Sequence, residues 1–330
     1  MTDRLNDAYD VLVIGGGAAG LNGALMLARS RRSVAVIDAG SPRNAPAEGV
    51  HGLLGRDGTP PGELLARGRA EVRSYGGSVV DGEVASVRRL PEGFEVGLAD
   101  GRTARARRLL VTIGLVDELP DVKGLRERWG RDVIHCPYCH GWEARDKAIG
   151  VIGAGPLSVH QSLLFRQLSA DVVLFANTMP SLTDEQSEQL AARGIRVVEG
   201  EVAAVETADD RIAGVRMAAD GEFVPREVVA VGPTARLCAG FLAGLGLLPK
   251  QHPSGMGEYL AADPAGRAEV PGVWLAGNVA DPAAQVGTAA AAGATAAAQI
   301  NFDLVGEESA AAVRARREAQ RPRDPENESN

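Results

Sequence analysis

The sequence predicts an α/β fold built from two mononucleotide-type units. A pattern of strand, glycine turn, helix and strand occurs twice, and short β-rich stretches follow each occurrence. The 330 residues also exceed the ~100 to 200 of a typical single domain. Apolar residues at 45% and charged residues at 24% are enough for sizeable cores and exclude a disordered chain.

The first unit runs from Asp10-Val-Leu-Val-Ile14 through Gly15-Gly-Gly-Ala-Ala-Gly20 and a helix over Leu21 to Ser30, to Val34-Ala-Val-Ile37 ending at Asp38. Apolar runs of four or five residues are what strands buried on both faces require. The second unit repeats this with Ala148 to Ile152, Gly153-Ala-Gly-Pro-Leu-Ser158, a helix from about Val159 to Leu168, and Asp171 to Phe175. The meanders fall at Gly77 to Arg88 and Phe94 to Leu98, then at Arg196 to Val205 and Ile212 to Met217. Asp100-Gly101 and Asp220-Gly221 mark turns within them. Val273 to Ala276 is a late strand, and the Ala-rich run from Gln285 to Asn301 suits a helix. The charged tail from 313 to 330, with Pro322 and Pro325, is expected to be frayed.

Lys plus Arg total 35 against 43 Asp plus Glu, and a net charge of −8 gives no global attraction to nucleic acid or an anionic membrane. The apolar run Val11 to Ile14 is too short for a signal segment, and no apolar run reaches 18 residues. A cytoplasmic location is the default expectation. Three cysteines make no disulfide scaffold, and a close pair of them points to catalysis or metal binding.

Gly15, Gly17 and Gly20 form a G-x-G-x-x-G turn, and Asp38 closes the next strand 23 residues after Gly15. Such glycines permit a tight turn, backbone approach to a pyrophosphate and close helix packing, while the acid accepts a ribose hydroxyl. This predicts a dinucleotide site. The second turn keeps Gly153 and Gly155 but has Ser158 in third place and Pro156 inside. Its second strand ends Phe175-Ala176-Asn177, with neither a ribose-binding acid nor arginines for a 2′-phosphate. A working and a vestigial nucleotide site both fit it.

His135-Cys136-Pro137-Tyr138-Cys139-His140 is the most informative stretch. Cysteines two residues apart close a small disulfide, and positive charge lowers a thiol's pKa, so thiol exchange is the leading reading. Haem c attachment also fits C-x-x-C-H but belongs with export. Structural zinc lacks a second ligand pair, since Cys238 is the one other cysteine. No metal is expected. Buried inert thiols are disfavoured by Pro137. Cys238, among Leu237, Ala239 and Phe241, is expected to pack. His140 is a candidate proton donor or acceptor, the alternative being a solvated loop histidine. Leu275-Ala276-Gly277-Asn278 ends a strand before a helix, where a polyol or phosphate can be held.

Together these residues resemble the low-molecular-weight thioredoxin reductase family over roughly residues 8 to 305. The matching segments are the glycine fingerprint with Asp38, Leu110-Val-Thr-Ile-Gly114, the CxxC, and Gly277-Asn278 before the last helix. The resemblance implies two Rossmann-like three-layer (ββα) domains. An FAD domain (1–117 and 246–312) is split by an inserted NAD(P)H-type domain (118–245) that carries the CxxC. It implies a homodimer with FAD, Cys139 as the flavin-facing thiol and Cys136 as the exchanging one. Gly15, Gly17, Gly20, Asp38, Thr112, Gly114, Gly277, Asn278, Gln285, Val286 and Gly287 are the implied flavin contacts. Asn278 stands where the family usually has Asp, and His51 is implied to lie near the flavin.

Two departures matter. His140 follows the second cysteine where reductases carry an acid, and the arginines for NADPH are missing after Phe175, which makes NADPH doubtful. Both resemble the gliotoxin-type and holomycin-type dithiol oxidase branch, which passes electrons from a small-molecule dithiol through CxxC and FAD to dioxygen. The leading expectation is such an oxidase. The alternatives are an NADPH-dependent reductase of thioredoxin or another disulfide, and a non-catalytic redox-sensing flavoprotein.

Overall fold

In the computed structural model, which describes residues 2–320, the chain opens with β1 (Ala8–Ile14), α1 (Ala18–Arg29) and β2 (Val34–Asp38). β1 and β2 pair in parallel, Val11 opposite Val34 and Ile14 opposite Ile37, so α1 is a crossover helix. α2 (Pro61–Ser74) leads to β3 (Ser78–Asp81). An antiparallel meander of β4 (Val84–Leu90), β5 (Gly93–Leu98) and β6 (Thr103–Val111) then brings β6 beside β1. The order is β3-β2-β1-β6-β5-β4. β1 explains its own unbroken apolar run: Val11 and Val13 pack with Leu21, Ala24 and Leu27 of α1, while Leu12 and Ile14 face Phe94 and Val96 on the other side.

The chain then leaves through β7 (Val116–Glu118), α3 (Leu125–Arg128), β8 (Val133–Ile134) and α4 (Pro137–His140). A second parallel sheet follows, from β9 (Ile149–Ile152), α5 (Ser158–Phe165), β10 (Val172–Phe175), α6 (Asp184–Ala192) and β11 (Arg196–Val198). β12 (Val202–Ala208), β13 (Arg211–Met217) and β14 (Phe223–Pro225) form an antiparallel sheet, β15 (Val228–Val231) completes the parallel one in the order β11-β10-β9-β15-β8, and β16 (Thr234–Arg236) leads out. The antiparallel sheet covers one face through Val205, Val215 and Met217, and α5 and α6 cover the other through Phe165 and Leu190. Phe165 and Phe175 are fully buried, and each such side chain contributes about 1.5–3 kcal/mol relative to exposure. α6 starts at a reciprocal cap in which Thr183 and Gln186 exchange side-chain and backbone hydrogen bonds.

β7 and β16 pair antiparallel, Ala235 opposite Asp117, so the entry to and exit from the second sheet run side by side. After a hairpin of β17 (Lys250–Gln251) and β18 (Glu258–Tyr259), β19 (Val273–Leu275) joins the first sheet beside β6, and α7 (Val286–Ala319) packs on α1. The first sheet therefore takes strands from both ends of the chain, with the second sheet inserted between them. The contact between α1 and α7 is close enough that a Cβ on Gly293 would fall 1.9 Å from the Ala19 carbonyl oxygen.

Two expectations are corrected. The tail expected to fray from 313 is helical to Ala319, because its residues 313–319 are mainly Ala, Arg and Glu, which are strong helix formers, and no Gly or Pro interrupts them. Arg32, Arg107 and Arg108 also tether α7 through Asp303, Glu307 and Glu308. Residues 321–330 of that tail lie outside the described residues. Cys238 does not pack: the Ala239 amide donates to the Leu237 carbonyl at 3.1 Å, a tight turn that leaves Cys238 exposed while Leu237 and Ala239 are buried.

Candidate active site

The first glycine turn is dictated by backbone crowding. Gly15 has φ +107°, and a Cβ there would sit 2.6 Å from the Thr112 carbonyl oxygen; one on Gly20 would sit 1.9 Å from the Gly15 oxygen. Gly17 differs, for a Cβ there would meet nothing within 4 Å and would project into open space. Thr112 is buried and donates its hydroxyl to the Gly15 carbonyl at 2.8 Å, locking turn and β6 together. Asp38 accepts from the Gly16 amide at 3.1 Å and from Arg69 Nη2 at 2.7 Å. A carboxylate has about four acceptor positions, so a ribose hydroxyl still finds room. Arg69 Nε is buried beside it without a hydrogen-bond partner.

A second set of groups faces this turn. Asn278 follows β19 and donates its side-chain amide to the Ala284 carbonyl at 3.0 Å and the Asp281 carbonyl at 3.1 Å. An aspartate could not make those bonds, which gives the asparagine a physical reason. Gln285 caps α7 without a side-chain bond to it, so the first amides of a 34-residue helix have no intrahelical acceptor.

The redox loop sits at the start of α4, with Cys136 as its N-cap and Pro137 in the first turn, where proline's missing N–H costs nothing. The amides of Cys139 and His140 both donate to the Cys136 carbonyl, at 3.2 and 3.1 Å, which folds the thiols toward each other. The Cys136 thiol is lowered to about 7, first by the hydrogen bond from the Cys139 side chain, then by backbone amides and the Arg43 charge, against burial. Cys139 is pushed up by that same bond, by burial and by its neighbour's charge. The two thiols titrate as a coupled pair in which the Cys136 thiolate is the favoured one. Burial lowers His140, so its imidazole is neutral, and both ring nitrogens are buried without partners.

The second glycine loop is built otherwise. Ser158 is buried, and its hydroxyl accepts from the amides of Ala154 at 3.1 Å and Gly155 at 3.3 Å. Those are donors that a glycine loop of this kind otherwise turns to phosphate. Asn177 donates to the Gly153 carbonyl at 3.1 Å and accepts from the Val202 amide at 3.1 Å, so its side chain ties strands together.

One cavity of about 780 Å3 joins these parts. Gly15, Gly17, Asp38, Thr112, Gly114, Gly277, Asn278, Gln285 and Val286 line it, and so do Cys136, Cys139 and His140. Gly20 lies behind the turn against Gly15, and Gly287 sits against Leu53, with neither lining the cavity. The open side of Gly17, the Asp38 carboxylate and the capped carbonyl loop at Asn278 line that cavity and fit the long polar body of a flavin dinucleotide. His51 also lines the cavity, its Nε2 3.7 Å from Glu143. Sequence reasoning missed Arg43 and Asp117, a salt bridge of 2.6 Å on the cavity wall. They are 74 residues apart, and no local spacing marks such a pair. Among the described residues no group of three or more His, Cys, Asp or Glu side chains is placed to hold a metal, and no helix is long and apolar enough to cross a membrane.

Comparison with known proteins agrees with this geometry. The family model described as pyridine nucleotide-disulphide oxidoreductase matches residues 9–298. The chain is 32% identical over 284 residues to thioredoxin reductase tcpT of Claviceps purpurea (strain 20.1), covering 83% of this chain and 87% of that one. It is 30% identical to thioredoxin reductase sirT of Leptosphaeria maculans, covering 92% and 96%. Among solved structures, that of HlmI is 44% identical with a TM-score of 0.89, covering 97% of this chain and 99% of that one. An oxidoreductase from Agrobacterium tumefaciens is 35% identical with a TM-score of 0.84, covering 90% and 99%. Two glycine-turn sheets, one inserted in the other and carrying a CxxC at a shared cavity, together with these matches place the chain in the pyridine nucleotide-disulphide oxidoreductase family, as an oxidoreductase of thioredoxin reductase type with FAD as the implied cofactor.

Proposed function

We propose that the chain is a dithiol oxidase that closes a disulfide in a small-molecule dithiol, with dioxygen as the electron acceptor. The observation that carries this reading is the Ser158 hydroxyl seated on the Ala154 and Gly155 amides. With those donors engaged, and no cation at Ala176 or Asn177, the inserted sheet offers little to a nicotinamide dinucleotide. The electrons then have to come from a thiol.

In the oxidised enzyme a substrate thiolate attacks Cys136 Sγ, breaking the Cys136–Cys139 bond and releasing Cys139, which takes a proton. The second substrate thiolate attacks the substrate sulfur of that mixed disulfide and expels Cys136 as the thiolate its low pKa favours. The substrate has lost two electrons and two protons, and the cysteine pair has gained the electrons. His140, neutral and with both nitrogens unpartnered, accepts a substrate thiol proton. When bound, FAD would supply the two-electron link between the reduced cysteine pair and dioxygen, whose reduction product is hydrogen peroxide. Gly15, Gly17, Asp38 and Asn278 are the residues that would hold it.

The expected outcome is one peroxide per substrate disulfide, measured together with a short-chain dithiol under air. Cys136→Ser should lower that flux at least ~100-fold, since the exchanging sulfur is gone. Normal turnover by the variant would remove the reading. The second reading, an NADPH-dependent disulfide reductase, is favoured by Gly155, at which a Cβ would meet nothing within 4 Å, and by the names of the curated relatives.

A further inference from the structure

The loop between β2 and α2 carries one arginine whose contacts reach well beyond its own segment. Arg43 Nη2 donates to Asp117 Oδ1 at 2.6 Å and Nε donates to Asp117 Oδ2 at 3.0 Å, a two-pronged grip on β7. Its Nη1 donates to the Pro282 carbonyl at 3.4 Å, on the segment that Asn278 also holds. β7 is the strand by which the chain enters the inserted sheet. The same loop meets the inserted half again at Pro46, which lies against Gly130. Arg43, Cys136 and Cys139 all line the one cavity.

We propose that Arg43 is a positioning residue for the redox loop: Asp117 and the Pro282 carbonyl fix its guanidinium on the wall of the cavity that Cys136 and Cys139 also line, where a permanent positive charge favours the Cys136 thiolate. The inference rests on the reading of Cys136 as the exchanging thiol. An arginine cannot be deprotonated at working pH, so it supplies a constant field. Arg43 is the one arginine or lysine among the residues lining that cavity, and its charge adds to the lowering of Cys136 after the Cys139 hydrogen bond and the backbone amides. The other charged or titratable groups around the pair are Glu48 and His51 from the same loop, Asp117 from β7, His135, His140 and Glu143 beside the thiols, and His160 from α5. Among these the acids oppose thiolate formation, and burial keeps His135 and His140 uncharged, so Arg43 is the permanent cation of the set.

The test is the rate of iodoacetamide alkylation at Cys136 in the reduced, flavin-loaded protein under argon. It is read by peptide mass spectrometry from about pH 5.5 to about pH 9, the range over which a lowered thiol ionises. For the unaltered protein the midpoint is expected near about 7. Arg43→Met moves the profile to higher pH and lowers the rate roughly threefold on its acid side, as loss of one nearby opposite charge does. Arg43→Lys restores the unaltered profile. Arg43→Gln, which keeps an amide for Asp117 without the charge, must show the same shift as Met and carries the test if the Met variant does not fold. Neutral variants whose profile superimposes on the unaltered one overturn the inference alone. Alkylation that is fastest at Cys139 overturns the exchange reading and the inference with it.

Discussion

At the scale of single residues, the site is governed by space as much as by charge. Gly20 has no room for a methyl group, with the Gly15 oxygen 1.9 Å and Thr112 Oγ1 2.6 Å from where it would lie. Gly20→Ala is therefore expected to push the turn out of shape and yield protein that purifies without flavin colour; a fully yellow Gly20→Ala protein would show that the turn is not what holds the cofactor. The glycines, Asp38 and the two thiols were legible in the sequence because turn chemistry and thiol spacing are local properties. Arg43, Asp117 and Arg69 were not, because each acts through a partner 31 or 74 residues away. Cys238 was misread because apolar neighbours in sequence do not reveal a tight turn that points the middle residue outward.

At the scale of elements, the two glycine turns begin alike in sequence and differ in what their amides do. In the first, Gly16 donates to Asp38 at the end of β2, and Gly17 borders open space. In the second, Ser158 turns its hydroxyl back onto the loop and Asn177 bonds across to Gly153 and Val202. The sequence left a working and a vestigial site equally open, since the effect of a serine in third place is decided by where its hydroxyl points. Ser158→Gly frees the Ala154 and Gly155 amides and should raise nicotinamide nucleotide binding by several-fold in calorimetry, at a cost of about 1 kcal/mol in stability for the lost hydrogen bonds. Unchanged binding in that variant would mean that the hydroxyl is not what closes the loop to phosphate. The parallel strands were readable because strands buried on both faces are continuous apolar runs. α7 outran its expected end because it is tethered by Arg32, Arg107 and Arg108 from the far side of the chain, and because its alanine-rich propensity was disguised by its charge.

At the scale of the whole molecule, the insertion of one sheet into another puts the redox loop, the flavin-type turn and the altered nucleotide loop around one cavity. In the sequence that juxtaposition was legible through family resemblance and not through periodicity, because pairing of β19 with β6 and of β7 with β16 joins segments far apart in the chain. Its consequence is an economy of donors. The thiol pair sits where it can take electrons from a substrate in the cavity, and the loop that would serve a nicotinamide has turned its amides inward. What separates an oxidase from a reductase here is the donor that reduces the enzyme. Anaerobic titration of the yellow protein with a small dithiol and, separately, with NADPH, following the flavin absorbance band, identifies that donor. The dithiol alone is expected to bleach the band stoichiometrically and air to restore the colour, with NADPH producing no change on that timescale. Rapid bleaching by NADPH, with the dithiol inert, would overturn the oxidase reading.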